Sequence, residues 1–590
     1  MALPTQTIQA LAVSPGIAIG RTMRVTGQTR YREPEPHRIT EDEIPAELSR
    51  LSAALALTRT QLVELRQEVR NKLKAQEAEI FDAHIMIVDD RTMIAEAEKG
   101  IREKHYVAEY ALYLASEHFA NVFAGMADEY LRERAADIRD VSARILSNLT
   151  NIHVHGHEID LDDRRIIVAH NLSPSETAQL DVEKVLGFAV ETGSATSHTA
   201  ILARSMRLPA VVGIPPELPE QLTADDKLII DGYSGKLLIN PDARTEEAYR
   251  LKKAEAGQLW SRLESESELR PETTDGFIVQ LAANLDSPDK VGEVKRCGAS
   301  GIGLFRTEYL YMNRQTLPDE EEQFEVYKKL LVECDNAPLI VRTLDVGGDK
   351  FNTNIYRANE QNPFLGLRGI RLCLHERRDI LETQLRALLR AGVFGNLRVM
   401  LPMVSSIREV IEVRSIIGQL QQQLENEKLE YMSHLPLGIM IETPAAALMA
   451  DKFAPMVDFF SIGTNDLVQY TMAIDRGNER VAYLYRPSHP AILGLIRNCV
   501  EAANRHNIWV SVCGQAAADA YMVPLLAGIG VHELSMAPSS IAVVRRVIRS
   551  MSMFEMQETA QAALACTNAT DALAISEALI HLRAPEIVNI

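Results

Sequence analysis

The sequence predicts a multidomain α/β protein: a small α/β domain interrupted by an all-helical insertion, then a C-terminal (β/α)8 TIM barrel. Three observations predict it. After Pro271, eight short apolar runs recur, each ending in a polar or charged cluster, which is the rhythm of parallel strands that carry functional groups at one end. Between Ile44 and Leu149 the only glycines are Gly100 and Gly125, and Leu, Ala, Glu, Gln and Arg recur with a helical period. At His157 the pattern changes again, to alternating strands and helices.

Each element follows in turn. Residues 7–24 read as two short strands about a turn at Ser14-Pro15-Gly16, the second ending near Val25. Residues 30–40 are polar and proline-rich, a linker. The glycine-poor block reads as two hairpins of long helices. EIDLDDRRIIVAHNLSPSETAQL and VLGFAVETGSATSHTAILARS each read strand, loop, helix, and KLIIDGYSGKLLINP reads as a hairpin. Residues 7–25 supply the first strands of this domain, so the helical block enters at a surface loop, where insertions are tolerated. The expected boundaries are 1–30 with 151–240 for the α/β domain and 31–150 for the insertion. A glutamate-rich connecting helix covers 241–268 and the barrel 269–590. The candidate barrel strands are FIVQLAAN, GIGLFRTEYLY, LIVRTLD, NLRVMLPMV, GIMIETP, FFSIGTNDL, WVSVCGQ and HELSMAP. A doubly wound sheet is the competing architecture and needs a division into two halves that the sequence does not display.

Composition narrows the function. With 62 basic against 81 acidic residues the formal charge is -19, which argues against nonspecific binding of nucleic acid or anionic membrane. Small anionic substrates stay open, because a few convergent arginines make a local positive pocket. The six cysteines form no CxxC pair, the usage of a reducing compartment. The N-terminus lacks a secretion signal and no apolar run is long enough to span a bilayer, so a cytoplasmic protein without membrane insertion is expected.

Two places carry chemistry. In TSHTAILARSMRLPAVVG, His198 stands at a helix start behind the N-capping residues Thr196 and Ser197. Exposed amides there favour a neutral imidazole and stabilise an anion bound to it. The bland alternative is a capped helix with a surface histidine. In the barrel, Arg306, Arg342, Glu442, Asn465 with Asp466, and Cys513 fall at strand ends, which converge on one mouth. Arginines suit phosphate or carboxylate oxygens, and Arg476 can join from a loop. Glu442 and Asp466 offer the oxygen ligands magnesium (Mg2+) prefers, and such an ion neutralises charge on an enolate or phosphoryl group. Cys513 is too soft for that ion and reads as a proton donor or acceptor to carbon. Taken singly, an arginine at a strand end is more often a structural ion pair and a cysteine a small core residue. His84 and His375 read as structural or interface residues, and the run His153, His155 and His157 as surface loop.

Together TSHTAILARSMRLPAVVG, GIGLFRTEYLYM, VRTLDVGGDK, NPFLGLRGIR, MIETPAAA and FFSIGTNDLVQYTMAIDRGN, with the region of Cys513, resemble enzyme I of the bacterial sugar phosphotransferase system. These phosphoenolpyruvate–protein phosphotransferases belong to the PEP-utilising enzymes. The resemblance covers nearly the whole chain, including SPGIAIG, FDAHIMIVDD, YLRERAADIRDV and NLSPSETAQL. The barrel motifs are shared with pyruvate phosphate dikinase and phosphoenolpyruvate synthase, while the helical insert and total length point to enzyme I. The resemblance implies a phosphohistidine at His198, on a small domain that swings between barrel and partner. It implies phosphoenolpyruvate binding by Arg306, Arg342, Lys350, Arg368, Asn465 and Arg476, magnesium ligation by Glu442 and Asp466, and protonation of the enolate by Cys513. It also implies docking of a small histidine phosphocarrier protein on the helical insert around His84 to Asp90, release of pyruvate, and a homodimer joined through the barrel.

The sequence departs from the family pattern at two places. Gly193-Ser194-Ala195 stands where a basic residue usually precedes the histidine motif, and Gly514-Gln515-Ala516-Ala517-Ala518-Asp519 replaces Gly-Glu-Leu-Ala-Gly-Asp. Gln515 loses a charge, and Ala518 matters only where a positive φ is needed. A dikinase or synthase would require ATP and a nucleotide-binding domain that the sequence does not show. A weakly active regulatory relative would bind its partner without transferring phosphate. Loss of the basic side chain beside His198 is expected to slow its phosphorylation, so Ala195→Arg should raise the phosphorylation rate, read by time-resolved labelling.

Overall fold

The computed structural model describes residues 5–25, 34–72, 81, 84–124, 129–150, 164–170, 172, 184–191, 203, 208–311, 316–347, 362–475, 478 and 481–589. The chain divides into two compact units, Met1–Gly257 and Gln258–Asn589. No helix among the described residues is long and apolar enough to cross a membrane.

In the first unit eight strands form one sheet in the order β1-β8-β7-β3-β4-β5-β6-β2. They are β1 (Gln6–Gln9), β2 (Leu11–Ser14), β3 (Ile17–Val25), β4 (Arg165–Ala169), β5 (Val185–Val190), β6 (Ala210–Val212), β7 (Lys227–Asp231) and β8 (Lys236–Ile239). The expected first strand is thus two, broken at Ala10 and assigned to opposite edges of the sheet. Ala10 donates its amide to the Gly235 carbonyl at 2.8 Å. Gly235 sits at φ 68°, and a Cβ there would come within 2.4 Å of the Ala10 oxygen, so glycine is needed in the β7–β8 turn. The runs IIVA and FAV are unbroken because both faces of the central strands are covered. Ile167, Phe188 and Val190 pack on one side, and Ile166, Val168 and Ala189 on the other.

The insertion is helical over Ile44–Lys72, Arg91–Lys104, Ala108–Ala124 and Glu129–Thr150. Leu62, Ala97, Ile101, Leu112 and Ile145 form its core. Asp90 caps the second helix by accepting the amides of Thr92 and Met93. Glu47, itself buried, accepts the Ala108 amide at 2.8 Å and so places a carboxylate at the positive end of the third. The connecting segment is the helix Ala243–Ser265. Its first half is tied to the sheet by Lys252 on the buried carboxylate of Asp231 at 2.8 Å and by Glu246 on Lys227 at 2.5 Å.

The second unit holds a closed barrel of eight parallel strands, the architecture expected. These are β9 (Gln280–Leu285), β10 (Ile302–Phe305), β11 (Leu339–Arg342), β12 (Leu397–Leu401), β13 (Leu437–Ile441), β14 (Phe459–Ile462), β15 (Trp509–Val512) and β16 (Glu533–Met536). Leu304, Ile340, Met400, Met440 and Phe459 fill the interior, so the barrel is a packed core and not a pore. Three boundaries differ from expectation. Phe277 and Ile278 lie outside β9 and are exposed, because a turn closed by Thr273 and Phe277 around Gly276 holds them there. The stretch after Arg306 is a 3-10 turn, Glu308–Leu310. Asn465 and Asp466 lie not on a strand but in the first turn of the helix Thr464–Met472.

One interior residue sets a pH dependence. Glu533 is buried, its Oε1 has no hydrogen-bond partner among the described residues, and with Ser535 and Ala282 it occupies the space that Gly303 leaves open. Burial pushes its carboxyl up to about 7, against the opposing pull of Arg398. Its folded-state value therefore exceeds the unfolded one. The native barrel holds a proton that the unfolded chain has lost, and stability falls as pH rises from about 4.5 through 7. Glu533→Gln should raise the barrel's unfolding midpoint at pH 8, by an amount equivalent to roughly 3 kcal/mol at most. The gain should shrink at pH 5, as followed by calorimetry.

Candidate active site

The mouth of the barrel is organised by buried ion pairs. Arg342, the last residue of β11, donates through Nη2 to Glu308 at 2.5 Å and pairs through Nη1 with Asp345 at 3.0 Å. Thr307 fixes the same turn by donating its hydroxyl to the Arg342 carbonyl at 3.0 Å. Arg368 grips Asp345 through Nε and Nη2, both at 2.9 Å, and reaches Asp466 through Nη1 at 3.1 Å and Nη2 at 2.9 Å. Tyr470, one turn beyond Asp466, accepts from Arg368 Nη1 and donates to the Phe364 carbonyl at 2.6 Å. Burial disfavours both guanidinium charges, but the surrounding carboxylates outweigh it and hold both arginines above their ordinary value. Both are permanently charged, and Arg342 Nε is a buried donor with no partner among the described residues.

Glu442 follows β13 and is buried. Its Oε2 accepts the Met403 amide at 2.8 Å. Two glycines admit it and its neighbours. A Cβ at Gly463 would come within 2.8 Å of Glu442 Cγ, and one at Gly514 within 1.9 Å of Thr464 Oγ1. Burial, then Asp466 and Asp345, push Glu442 up to about 7, while Arg368 and Arg342 oppose them. Excess negative charge on buried, hard oxygen donors fits a divalent cation. No cluster of three ligating side chains occurs among the described residues.

Asn465 accepts the Gln515 amide at 2.9 Å and the Tyr485 hydroxyl at 3.4 Å. Arg306 is half-exposed and pairs with Asp286 at 3.1 Å. Cys513 follows β15, is buried, and points its thiol at the Ile462 carbonyl at 3.7 Å. Burial pushes the thiol up to about 11, so it holds its proton at neutral pH. Ser461 and the guanidinium groups of Arg342 and Arg306 pull the other way, and Glu442 adds to the rise.

The structure therefore brings Arg306, Arg342, Arg368, Glu442, Asn465, Asp466 and Cys513 to one end of the barrel. His198, Lys350 and Arg476 lie outside the described residues, as do Ser194, Ala195 and the run His153, His155 and His157. Gln515 is exposed, and its contact with the site is through its backbone amide. Ala518 has φ -90°, so no glycine is required there. His375 is exposed in the last turn of its helix, whereas His84 is fully buried, 3.4 Å from Asp137 and 3.8 Å from Asp140. Within His84 to Asp90, Met86 rather than His84 faces solvent.

Sequence reasoning missed Asp345 and Glu308, the acids that hold the arginines. Their only signal was position, three residues after Arg342 and two after Arg306. Removing a partner from a buried pair leaves an uncompensated charge and costs about 3–5 kcal/mol. Asp345→Ala should lower barrel stability by that order in denaturant unfolding. Asp286→Ala, which frees only the half-exposed Arg306, should cost less than about 1 kcal/mol.

Comparison with known proteins places these features in a family. The PEP-binding domain profile of PEP-utilising enzymes matches residues 261–553, their N-terminal profile residues 9–134 and their mobile-domain profile residues 161–235. Phosphoenolpyruvate-protein phosphotransferase of Priestia megaterium is 40% identical over 581 residues, covering 98% of this chain and 100% of that protein. The protein of that name from Geobacillus stearothermophilus is 42% identical over 557 residues, 94% of this chain and 95% of its own length. That from Staphylococcus carnosus is 41% identical over 570 residues, 97% and 98% of the two chains. With identity at this level running from end to end, the chain belongs to the phosphoenolpyruvate-protein phosphotransferase family.

Proposed function

We propose that the protein transfers the phosphoryl group of phosphoenolpyruvate to its own His198 and then to a histidine of a small phosphocarrier protein, releasing pyruvate. The observation that carries this is the mouth of the barrel. Two buried, permanently charged arginines stand there beside a carboxylate cluster and a protonated thiol. The arginines suit an anionic substrate, with the surplus carboxylate charge left for a cation to offset, and the thiol has a proton to give to carbon.

Arg306, Arg342, Lys350, Arg368, Asn465 and Arg476 bind the phosphate and carboxylate oxygens. Glu442 and Asp466 hold Mg2+, which when bound supplies charge neutralisation for the enolate. The neutral ring of His198 attacks phosphorus, and the bond from phosphorus to the enol oxygen breaks. The enolate then takes the thiol proton of Cys513 at C3, giving the methyl group of pyruvate. His198 belongs to an α/β domain of residues 1–30 and 151–240, which swings from the barrel to the carrier. The helical insertion, 31–150, receives the carrier near the stretch that exposes Met86. The barrel, 269–590, joins two copies into a homodimer, and the protein works in the cytoplasm.

The test is incubation of the purified protein with Mg2+ and phosphoenolpyruvate labelled on phosphorus, with and without a histidine phosphocarrier. The expected result is one acid-labile phosphate on His198 that passes to the carrier. It should be absent from His198→Ala and in the presence of a chelator, and it should need no ATP. Carrier binding without any label would overturn the proposal in favour of a regulatory, catalytically weak protein.

A further inference from the structure

Asn284 interrupts the apolar run of β9, QLAANL, and a strand interior disfavours asparagine unless its amide is satisfied. It is satisfied across the seam of the barrel, where β9 closes on β16 and β16 pairs with β15. Its Nδ2 donates to the Cys513 carbonyl at 3.0 Å and to the Ser535 carbonyl at 3.2 Å, and its Oδ1 accepts the Ser535 hydroxyl at 2.5 Å. Carbonyl oxygens can only accept, so the amide nitrogen must face them and the amide oxygen is left for the hydroxyl. One side chain thus joins the ends of three strands. The nearby serines of β14 and β15, the register partners Ser461 and Ser511, instead bond each other at 2.9 Å.

What this does for Cys513 follows from where the strand pairing stops. The last paired residues of β15 and β16 are Val512 and Leu534, so Cys513 lies one residue beyond that ladder. On the β14 side its amide donates to the Ile462 carbonyl at 3.1 Å. On the other side the bond that holds its carbonyl comes from the Asn284 side chain and not from the ladder. With amide and carbonyl both held, φ and ψ of Cys513 are fixed. The thiol keeps only its side-chain rotation, which sets it against the Ile462 carbonyl at 3.7 Å. We propose that Asn284 is a positioning residue for proton transfer: by holding the Cys513 carbonyl it fixes where the sulfur meets C3 of the substrate. The proposal deepens the function above and rests on Cys513 being the proton donor. In that step the S–H bond breaks and its electron pair stays on sulfur. The enolate π pair forms the new C3–H bond, and the C–O bond becomes the carbonyl. The thiolate regains its proton from water at the mouth after pyruvate leaves. Among the described residues Asn284 makes no hydrogen bond to Arg306, Arg342 or Arg368, so it acts on the proton donor and not on the anion-binding groups.

The reverse half of the reaction isolates the step. Full-length protein with Mg2+ and pyruvate in D2O exchanges the methyl protons of pyruvate, followed by proton NMR, with the Cys513 sulfur as the base. A misplacement of about 1 Å at a reacting atom costs on the order of a hundredfold. Asn284→Ala should therefore slow exchange at saturating pyruvate by about ten- to hundredfold, with KM for pyruvate unchanged. Asn284→Asp keeps the shape of the side chain. Ionised, the introduced carboxyl donates no hydrogen bond; protonated, it regains one donor for the Cys513 carbonyl. Its exchange rate, taken relative to the wild type at each pH, should thus recover as pH falls, and that of Asn284→Ala should not. If Cys513→Ala abolishes exchange while Asn284→Ala exchanges at the wild-type rate, Asn284 has no such role and the assignment of Cys513 stands. If Cys513→Ala still exchanges at the wild-type rate, Cys513 is not the base and both readings fall. A rise in KM that accompanies the fall in rate, or Asn284→Asp as slow as Asn284→Ala at every pH, marks a merely structural seam and overturns the proposal.

Discussion

The shared carboxylate of Asp345 is the constraint on which the barrel mouth depends. One fully buried side chain pairs with Arg342 on one strand end and with Arg368 on a separate loop. Without it, two guanidinium groups would face each other in a site that water barely reaches. With it, they are held at fixed spacing and keep their charge. Arg368 extends the chain of contacts to Asp466, and Tyr470 ties that helix to Phe364.

Around that clamp, charge and shape are tuned together. Burial, then Asp466 and Asp345, raise the Glu442 carboxyl, and Arg368 and Arg342 only partly oppose them. Cys513 stays protonated because apolar barrel residues surround it. A carboxyl raised to about 7 and a thiol that keeps its proton thus follow β13 and β15, the two strands that flank β14. Gly463 and Gly514 make this possible by letting backbone pass where a methyl group would collide.

Much of this was legible in the sequence. The eight apolar runs reported the barrel because each strand is buried on both faces and so reads as a continuous hydrophobic segment. The residues that close those runs reported the site because a barrel gathers its strand ends. What the sequence did not reveal depends on contacts between distant segments. Asp345 and Glu308 look like ordinary acids after a strand and gain meaning only from the arginines they meet. Ser461 and Ser511 look like small fillers until strand register sets them side by side. The placement of Asn465 and Asp466 on a helix was missed because FFSIGTNDL was read as one strand through Leu467, although β14 ends at Ile462 and the helix begins at Thr464. His84 read as a structural or interface residue alike, and its full burial beside two aspartates follows from helix packing that periodicity does not specify.

The single residue between β1 and β2 has a consequence for how the protein is made. These two strands are synthesised before the rest of the sheet, yet β1 pairs with β8 and β2 with β6, whose residues lie roughly two hundred or more positions later in the chain. The helical insertion closes its own core from residues near one another in the chain and can fold while translation proceeds. Until their partners emerge the two strands have unpaired edges, β2 waiting for β6 and β1 for the β7–β8 hairpin. Assembly of the sheet is thereby the late step in the first unit, and its two edges are closed by strands made before the rest of it.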